Sequence, residues 1–170
     1  MTGRGWLSKP RVLTDSRKYR SLTAVSLGLI YTQVIIGAWL RHFSSVNALV
    51  VHAVVAILVF GHLTSVVVRV ARHRLAIPEL WPAALGLGIF LVLQILLGIG
   101  AWWLLRPYDG IARPVTLLAA LVRTGHQANA ALLLASAVVL TLRSFGQLTG
   151  VGHQPDSPSE IGARDLEAVA

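Results

Sequence analysis

The chain has 170 residues, 55% of them hydrophobic and 13% charged; water-soluble domains carry about a quarter charged residues, so an ordinary soluble domain is excluded. Its formal net charge of +8 would suggest nucleic acid in a soluble protein, but here the basic residues sit at the ends and in short gaps of an apolar chain, and nucleic acid becomes an unnecessary partner. The chain has no cysteine, which excludes a disulfide, a thiolate metal site, an iron–sulfur cluster and a covalently attached c-type heme.

In chain order, residues 1–20 form a basic tail without an apolar run. They do not read as a cleavable secretory signal, so the first spanning helix is expected to serve as the targeting signal. Beyond them, no charge falls between Arg20 and Arg41, Arg41 and Arg69, Glu79 and Arg106, or Arg123 and Arg143. Roughly 20 apolar residues as a helix span the ~30 Å hydrocarbon core, so the sequence predicts an all-α integral membrane four-helix bundle over residues 21–146. Helix one is expected from Ser21 to Leu40, helix two from Val46 to Val70 and helix three from Ala83 to Leu105. Helix four is expected from Val115 or Thr124 to Arg143. Pro78 and Pro82 bracket the entry to helix three, where proline is tolerated because first-turn amides lack intrahelical partners, and Pro107 and Pro114 frame a short loop. Residues 147–170, rich in Gly, Pro, Ser and acids, are expected to form a flexible tail.

The basic residues sort by side. Arg4, Lys9, Arg11, Arg17, Lys18, Arg20, Arg69, Arg72, Arg74, Arg143 and Arg164 fall on one, against Arg41, Arg106, Arg113 and Arg123 on the other. By the positive-inside rule both termini are expected in the cytoplasm, with the chain in a bacterial-type cell (inner) membrane and the gaps after helices one and three outside.

The two halves echo each other. Gln33-Val-Ile-Ile-Gly37 in helix one corresponds to Gln94-Ile-Leu-Leu-Gly98 in helix three, and His52 to Arg69 lies over His126 to Arg143 at the same 17-residue separation. The expected bundle is two parallel helix-hairpin repeats about a pseudo-twofold axis along the membrane normal, which places His52 and His126 at one depth. Ionisable side chains at membrane depth are rare and usually functional. Two equivalent imidazoles facing one axis make a bis-histidine pair that suits a heme: neutral imidazoles supply the axial nitrogens, the porphyrin fills an apolar slot, and the propionates need cations. Arg41, Arg123 and His42 stand near that level as cofactor-binding candidates. Ala128, Ala130, Ala131 and Ala135, with Gly37 and Gly98, would admit a close helix or a flat macrocycle. Zinc fits less well, since neither carboxylates nor thiolates accompany the pair.

A histidine near a helix end also serves as an interfacial or packed residue, and that heme-free reading stays open. His62 lies ten residues after His52, about 15 Å along the helix and roughly 80° round it, so it cannot share the same iron and is assigned to polar packing. His73 and His153 are read as solvated. Gln33 and Gln94 are expected to hold helices together by interhelical hydrogen bonds, and Trp39, Trp102 and Trp103 to anchor at the interface.

With Gln33-Val-Ile-Ile-Gly-Ala-Trp-Leu-Arg41, then His52, then Arg123-Thr-Gly-His126-Gln127, the sequence resembles the heme A synthase (cytochrome oxidase assembly) family over roughly residues 20–145. Members are commonly built from two four-helix halves, and this chain looks like one half. The resemblance implies an enzyme that oxidises a ring methyl of heme O to the formyl group of heme A, with His52 and His126 as axial ligands. It also implies contact with oxidase assembly factors or heme O synthase. Three departures stand against a full carry-over. The family's glutamate about one turn before the first histidine is replaced here by Ala48, Leu49, Val50 and Val51; the cysteine-bearing first outer loop is absent; and one half offers one heme site, so a homodimer would be needed for two. A non-catalytic b-type heme protein, an electron carrier or heme-handling assembly factor, is the second reading.

Overall fold

The computed structural model describes residues 11–12, 15–43, 45–105 and 114–149. The expected loop from Arg106 to Arg113, most of the basic tail, and the tail beyond Thr149 with His153 lie outside the described residues. Four helices account for nearly everything described: α1 (Ser16–Phe43), α2 (Val46–Arg72), α3 (Trp81–Leu105) and α4 (Leu117–Gln147). All four are long and apolar enough to cross a membrane. Two short strands, β1 (Arg11–Val12) and β2 (Leu148–Thr149), pair in parallel beside the start of α1 and the end of α4.

The helix ends follow local chemistry more than the charge spacing. Ser45 caps α2 by accepting from the Ala48 amide at 3.1 Å, and Thr116 caps α4 by accepting from the Ala119 amide at 3.2 Å, each satisfying an amide that has no partner inside the helix. Helix α1 begins at Ser16, ahead of the expected Ser21, because Arg17 and Lys18 stay exposed on a helix whose Ser16 and Tyr19 are buried. A charged residue at the membrane surface need not end a helix when its side chain can reach water. Helix α4 likewise runs past Arg143, whose guanidinium turns back to donate to the Glu79 carbonyl at 2.7 Å. Residues Gln147 to Thr149, assigned from composition to the tail, instead complete α4 and form β2.

Each helix packs chiefly on two neighbours, α1 on α2 and α4, and α3 on α4 and α2. The chain therefore goes up, down, up and down around a square, with α2 and α4 on one diagonal. Hydrophobicity is inverted relative to a soluble bundle. Val34, Ile35, Ile57, Leu58, Ile89, Leu96, Leu121 and Leu142 are exposed, while Ser16, Thr23, Ser26, Asn129 and Ser144 are buried. Apolar surface on this scale is satisfied by lipid, and polar side chains retreat inside to find partners.

Packing is not uniform along the bundle. The end that gathers Arg17, Lys18, Arg20, Arg69, Arg72, Arg74 and Arg143, here the basic end, holds nearly all of the core: Leu63, Val66, Val70, Ile77, Leu80, Ala84, Leu87 and Leu140 are buried there. Hydroxyls lock α1 to α4 at this end, with Thr23 Oγ1 and Ser144 Oγ at 2.7 Å and Thr141 Oγ1 donating to the Thr23 carbonyl at 3.0 Å. Arg20 donates to the Phe145 and Leu148 carbonyls. The core stops at Ile30, Val59, Leu91 and Leu133, one buried residue from each helix. Beyond that layer, toward the opposite end, only Ala48, Ala119 and Asn129 are buried among the described residues.

Leu63→Ala should therefore lower stability by about 2–5 kcal/mol through the cavity it leaves. Ile57→Ala, at a position 70% exposed, should change it by less than about 0.5 kcal/mol. Thermal unfolding in detergent micelles checks both.

Candidate functional site

The sparsely packed end is where the histidine pair stands. His52 sits in the second turn of α2 and His126 in the third turn of α4, both half-buried on the inward faces of diagonal helices.

Each ring is held by the neighbouring helix of its own hairpin in the same way. On one side the Gln33 amide lies 3.2 Å from His52 Nδ1 and 3.4 Å from Nε2, and donates to the His52 carbonyl at 2.9 Å. On the other the Gln94 amide lies 3.3 Å from His126 Nε2. One turn beyond each glutamine comes a glycine. A Cβ built on Gly37 would stand 3.2 Å from His52 Cε1, and one on Gly98 would stand 3.1 Å from His126 Cε1. Those distances are shorter than carbon–carbon contact, so the missing side chain is what seats the imidazole edge against the helix. The pattern Gln–x–x–x–Gly is thus a seat for a histidine on the adjacent helix. The close neighbour of each glycine is the imidazole of the adjacent helix.

The glutamines likewise do more than tie helices together, because their amides touch the imidazoles themselves. Asn129 escaped the sequence reading altogether. Buried one turn after His126, it donates to the Phe90 carbonyl at 2.8 Å and to Gln94 Oε1 at 2.7 Å. The signal was available: Asn129 is a polar residue on the His126 face of an apolar helix.

The remaining candidates are spread along the rim. Arg123 is half-buried about one turn before His126, and Arg41 is exposed one turn after Gly37, both nearer the helix ends than the rings. His42 is exposed, its ring edge against Phe43 at 5.9 Å between centroids. Trp39, Trp102 and Trp103 are exposed on outward faces, the placement of interfacial anchors. Of the small residues expected to line the space, Ala128, Ala131 and Ala135 face outward and are exposed, and only Ala130 is partly covered. The phase of α4 explains this: His126, Asn129, Leu133 and Ala137 take the inward stripe, and a helix has one such stripe. His62 belongs to the other end, where Nε2 lies 3.1 Å from Ser26 Oγ and 3.3 Å from the Leu22 carbonyl.

The donor set at the pair is two imidazoles. Among the described residues no three His, Cys, Asp or Glu side chains gather to hold a metal ion, so a site needing three or four protein ligands is not formed there. The described carboxylates Asp15 and Glu79 flank α1 and α3 at the basic end. His126 Nδ1 and Gln33 Oε1 are buried with no hydrogen-bond partner. Two seated rings with unspent polar atoms beside them could each offer a nitrogen to a ligand.

The glycine seats make a prediction that is independent of any ligand. Gly37→Leu and Gly98→Leu should displace the His52 and His126 rings and shift their imidazole NMR resonances. Gly28→Leu and Gly61→Leu, where an added Cβ meets nothing within 4 Å, should leave those resonances in place. No family model, curated protein or solved structure matches the chain.

Proposed function

We propose that the chain is an integral membrane heme protein, with His52 and His126 as axial ligands. Its proposed architecture is two parallel helix-hairpin repeats, and the duplicated Gln–Gly seat on diagonal helices is the observation that carries the proposal. The pair lies where the bundle has little core of its own, and ligand pockets are concave, largely apolar spaces with a few convergent polar groups. Each neutral imidazole would give one nitrogen to the iron. Gln33 and Gln94 orient the rings, as groups behind a metal-bound histidine ordinarily do. Arg123 and Arg41, one turn nearer the surface, would meet the propionates. The exposed His42 is a weaker candidate for that role.

The activity proposed is of the heme A synthase type, the oxidation of a heme O methyl to a formyl group. It rests on the sequence resemblance together with this site. A bound heme would supply the electron-transfer and oxygen chemistry of that reaction. This chain's residues hold the ring, keep the imidazoles neutral in an apolar setting and exclude water. A homodimer would provide a second heme, and oxidase assembly factors or heme O synthase would be the partners. One observation favours a second reading, a non-catalytic b-type heme protein: among the described residues no carboxylate stands on the histidine half of the bundle.

Detergent-purified protein should show the sharp reduced bands of a bis-histidine heme. His52→Ala and His126→Ala should each abolish them, and His62→Ala should leave them intact. Extraction and chromatography of the pigment then separate the readings, since heme A or hydroxylated heme O supports the enzyme and heme B alone supports the carrier. A colourless protein expressed with ample heme sinks both.

The proposed orientation puts the basic end in the cytoplasm of a cell membrane, by the excess of Lys and Arg there. The chain lacks cysteine, so single cysteines introduced at Asn47 and Arg72 report it directly. An impermeant maleimide added to whole cells should label Asn47→Cys and leave Arg72→Cys unlabelled.

A further inference from the structure

A groove of about 490 Å³ lies on the outside of the bundle between α1 and α4, lined by Ala24, Leu27, Gly28, Tyr31, Leu134 and Val138. Its small residues keep it open. Ala24 and Gly28 are exposed, and a Cβ added at Gly28 would meet nothing within 4 Å. Toward the basic end the same face of α1 continues through Ser21 and Arg17, three and seven residues before Ala24. Arg17 thus stands about 10 Å along the helix from the last small residue of the groove.

The groove therefore leads to cations. Arg17 and Lys18 are exposed, and among the described residues their side chains make no hydrogen bond or ion pair. Arg20 lies across the seam between α1 and α4, with its guanidinium 5.4 Å from the centre of the Phe145 ring and donating to the Phe145 and Leu148 carbonyls. Carbonyls orient that charge without neutralising it. Asp15, the carboxylate at the start of α1, is exposed and forms an ion pair with none of the three.

The matching face between α3 and α2 lacks both features. In the register that sets Gln33 against Gln94, Ala24 and Gly28 correspond to Leu85 and Ile89, bulky side chains that stand exposed on that surface. Arg17, Lys18 and Arg20 correspond to Pro78, Glu79 and Trp81. Open groove and cations occur together on one face and are missing together from the other. An excess of positive charge at one end of the bundle does not by itself require that coincidence.

We propose that the α1–α4 face binds an anionic phospholipid, with an acyl chain in the groove and the phosphate against Arg17, Lys18 and Arg20. The proposal is independent of the heme reading. An aliphatic chain suits walls that are almost wholly apolar, and a phosphate suits cations with no carboxylate partner. A zwitterionic lipid would bring its own cation to the same place. A second copy of the chain, docked on this groove about a twofold axis along the membrane normal, would set its own Arg17 and Lys18 against these, like charge facing like.

The test is a lipid titration of full-length protein in neutral detergent, with bound lipid counted by native mass spectrometry. Phosphatidylglycerol should bind at least tenfold more tightly than phosphatidylcholine with the same acyl chains. Each cation removed should cost about fivefold, so Arg17→Gln with Lys18→Gln should weaken phosphatidylglycerol roughly 25-fold. Arg17→Lys with Lys18→Arg, which keeps both charges, should retain the preference. Gly28→Leu fills the groove at a position where the fold has room, and it should weaken phosphatidylglycerol although every cation remains. Inorganic phosphate at the lipid's concentration should not displace it. Equal binding of the two lipids overturns the proposal, as does a preference that survives loss of Arg17 and Lys18. Full binding in Gly28→Leu, or displacement by inorganic phosphate, overturns it too, by removing the acyl chain from the site. A dimer of the unaltered protein that Gly28→Leu dissociates would assign the groove to a second copy and overturn the lipid site.

Discussion

The absence of water in the bilayer is the constraint on which the rest of this structure depends. A polar side chain in hydrocarbon has to find its partner inside the protein, and the cost of leaving it alone is large enough to choose the rotation of each helix. The inward face of α1 reads Ser16, Tyr19, Thr23, Ser26, Ile30, then half-buried Gln33 and Gly37. That stripe fixes which residues of α2 and α4 it can meet. Its hydroxyls take Ser144 and His62 near the basic end, its Thr23 carbonyl accepts from the Thr141 hydroxyl, and its Gln33 amide takes His52 near the other end. Lipid gives no comparable preference to the outward face, which is why residues there vary in size without forming a pattern. The helices are held in phase by what they must hide.

A division of labour along the bundle follows. Close packing and the hydroxyl network sit together at the basic end, where every helix contributes to the buried core. The histidine end is held by fewer and more directional contacts, two amide–imidazole pairs and one asparagine. Regions with few buried apolar contacts open most readily. Burial is concentrated at one end, and the layer of Ile30, Val59, Leu91 and Leu133 marks where the two regimes meet.

Much of this was legible in the sequence because the bilayer reduces the problem to one dimension. Charge-free intervals measure depth, so the existence of four helices could be read by counting. What counting misses is rotation. Gln33 and Gln94 were identified as polar groups at matching positions, but that their amides reach the histidines depends on the phase of two helices at once. The alanines of α4 show the same limit: Ala128, Ala131 and Ala135 share a face, and the stripe through His126, Asn129 and Leu133 shows that it is the wrong one. Helix ends were misplaced for a different reason. Charges at the membrane surface were taken as boundaries, yet Arg17, Lys18 and Arg143 ride on helices that continue beyond them, because long cationic side chains reach water or a carbonyl without breaking the backbone.

Asn129 is the most instructive of the residues that went unread. Sequence comparison of the two halves rewards what repeats, and Asn129 has no counterpart, so a search by symmetry passes over it. The two seats are anchored differently: beside Gln94 stands an amide held by the Phe90 carbonyl, whereas the Gln33 amide is itself held by the His52 carbonyl. The direction of the chain from Phe90 through Asn129 and Gln94 to His126 is set by a carbonyl that can only accept, and each amide passes that polarity onward. Reversing any member would leave two donors or two acceptors face to face in an apolar medium, at a cost comparable to losing a buried hydrogen bond. The chain orients both amides without any charged group, in a place where a charge would be costly to bury.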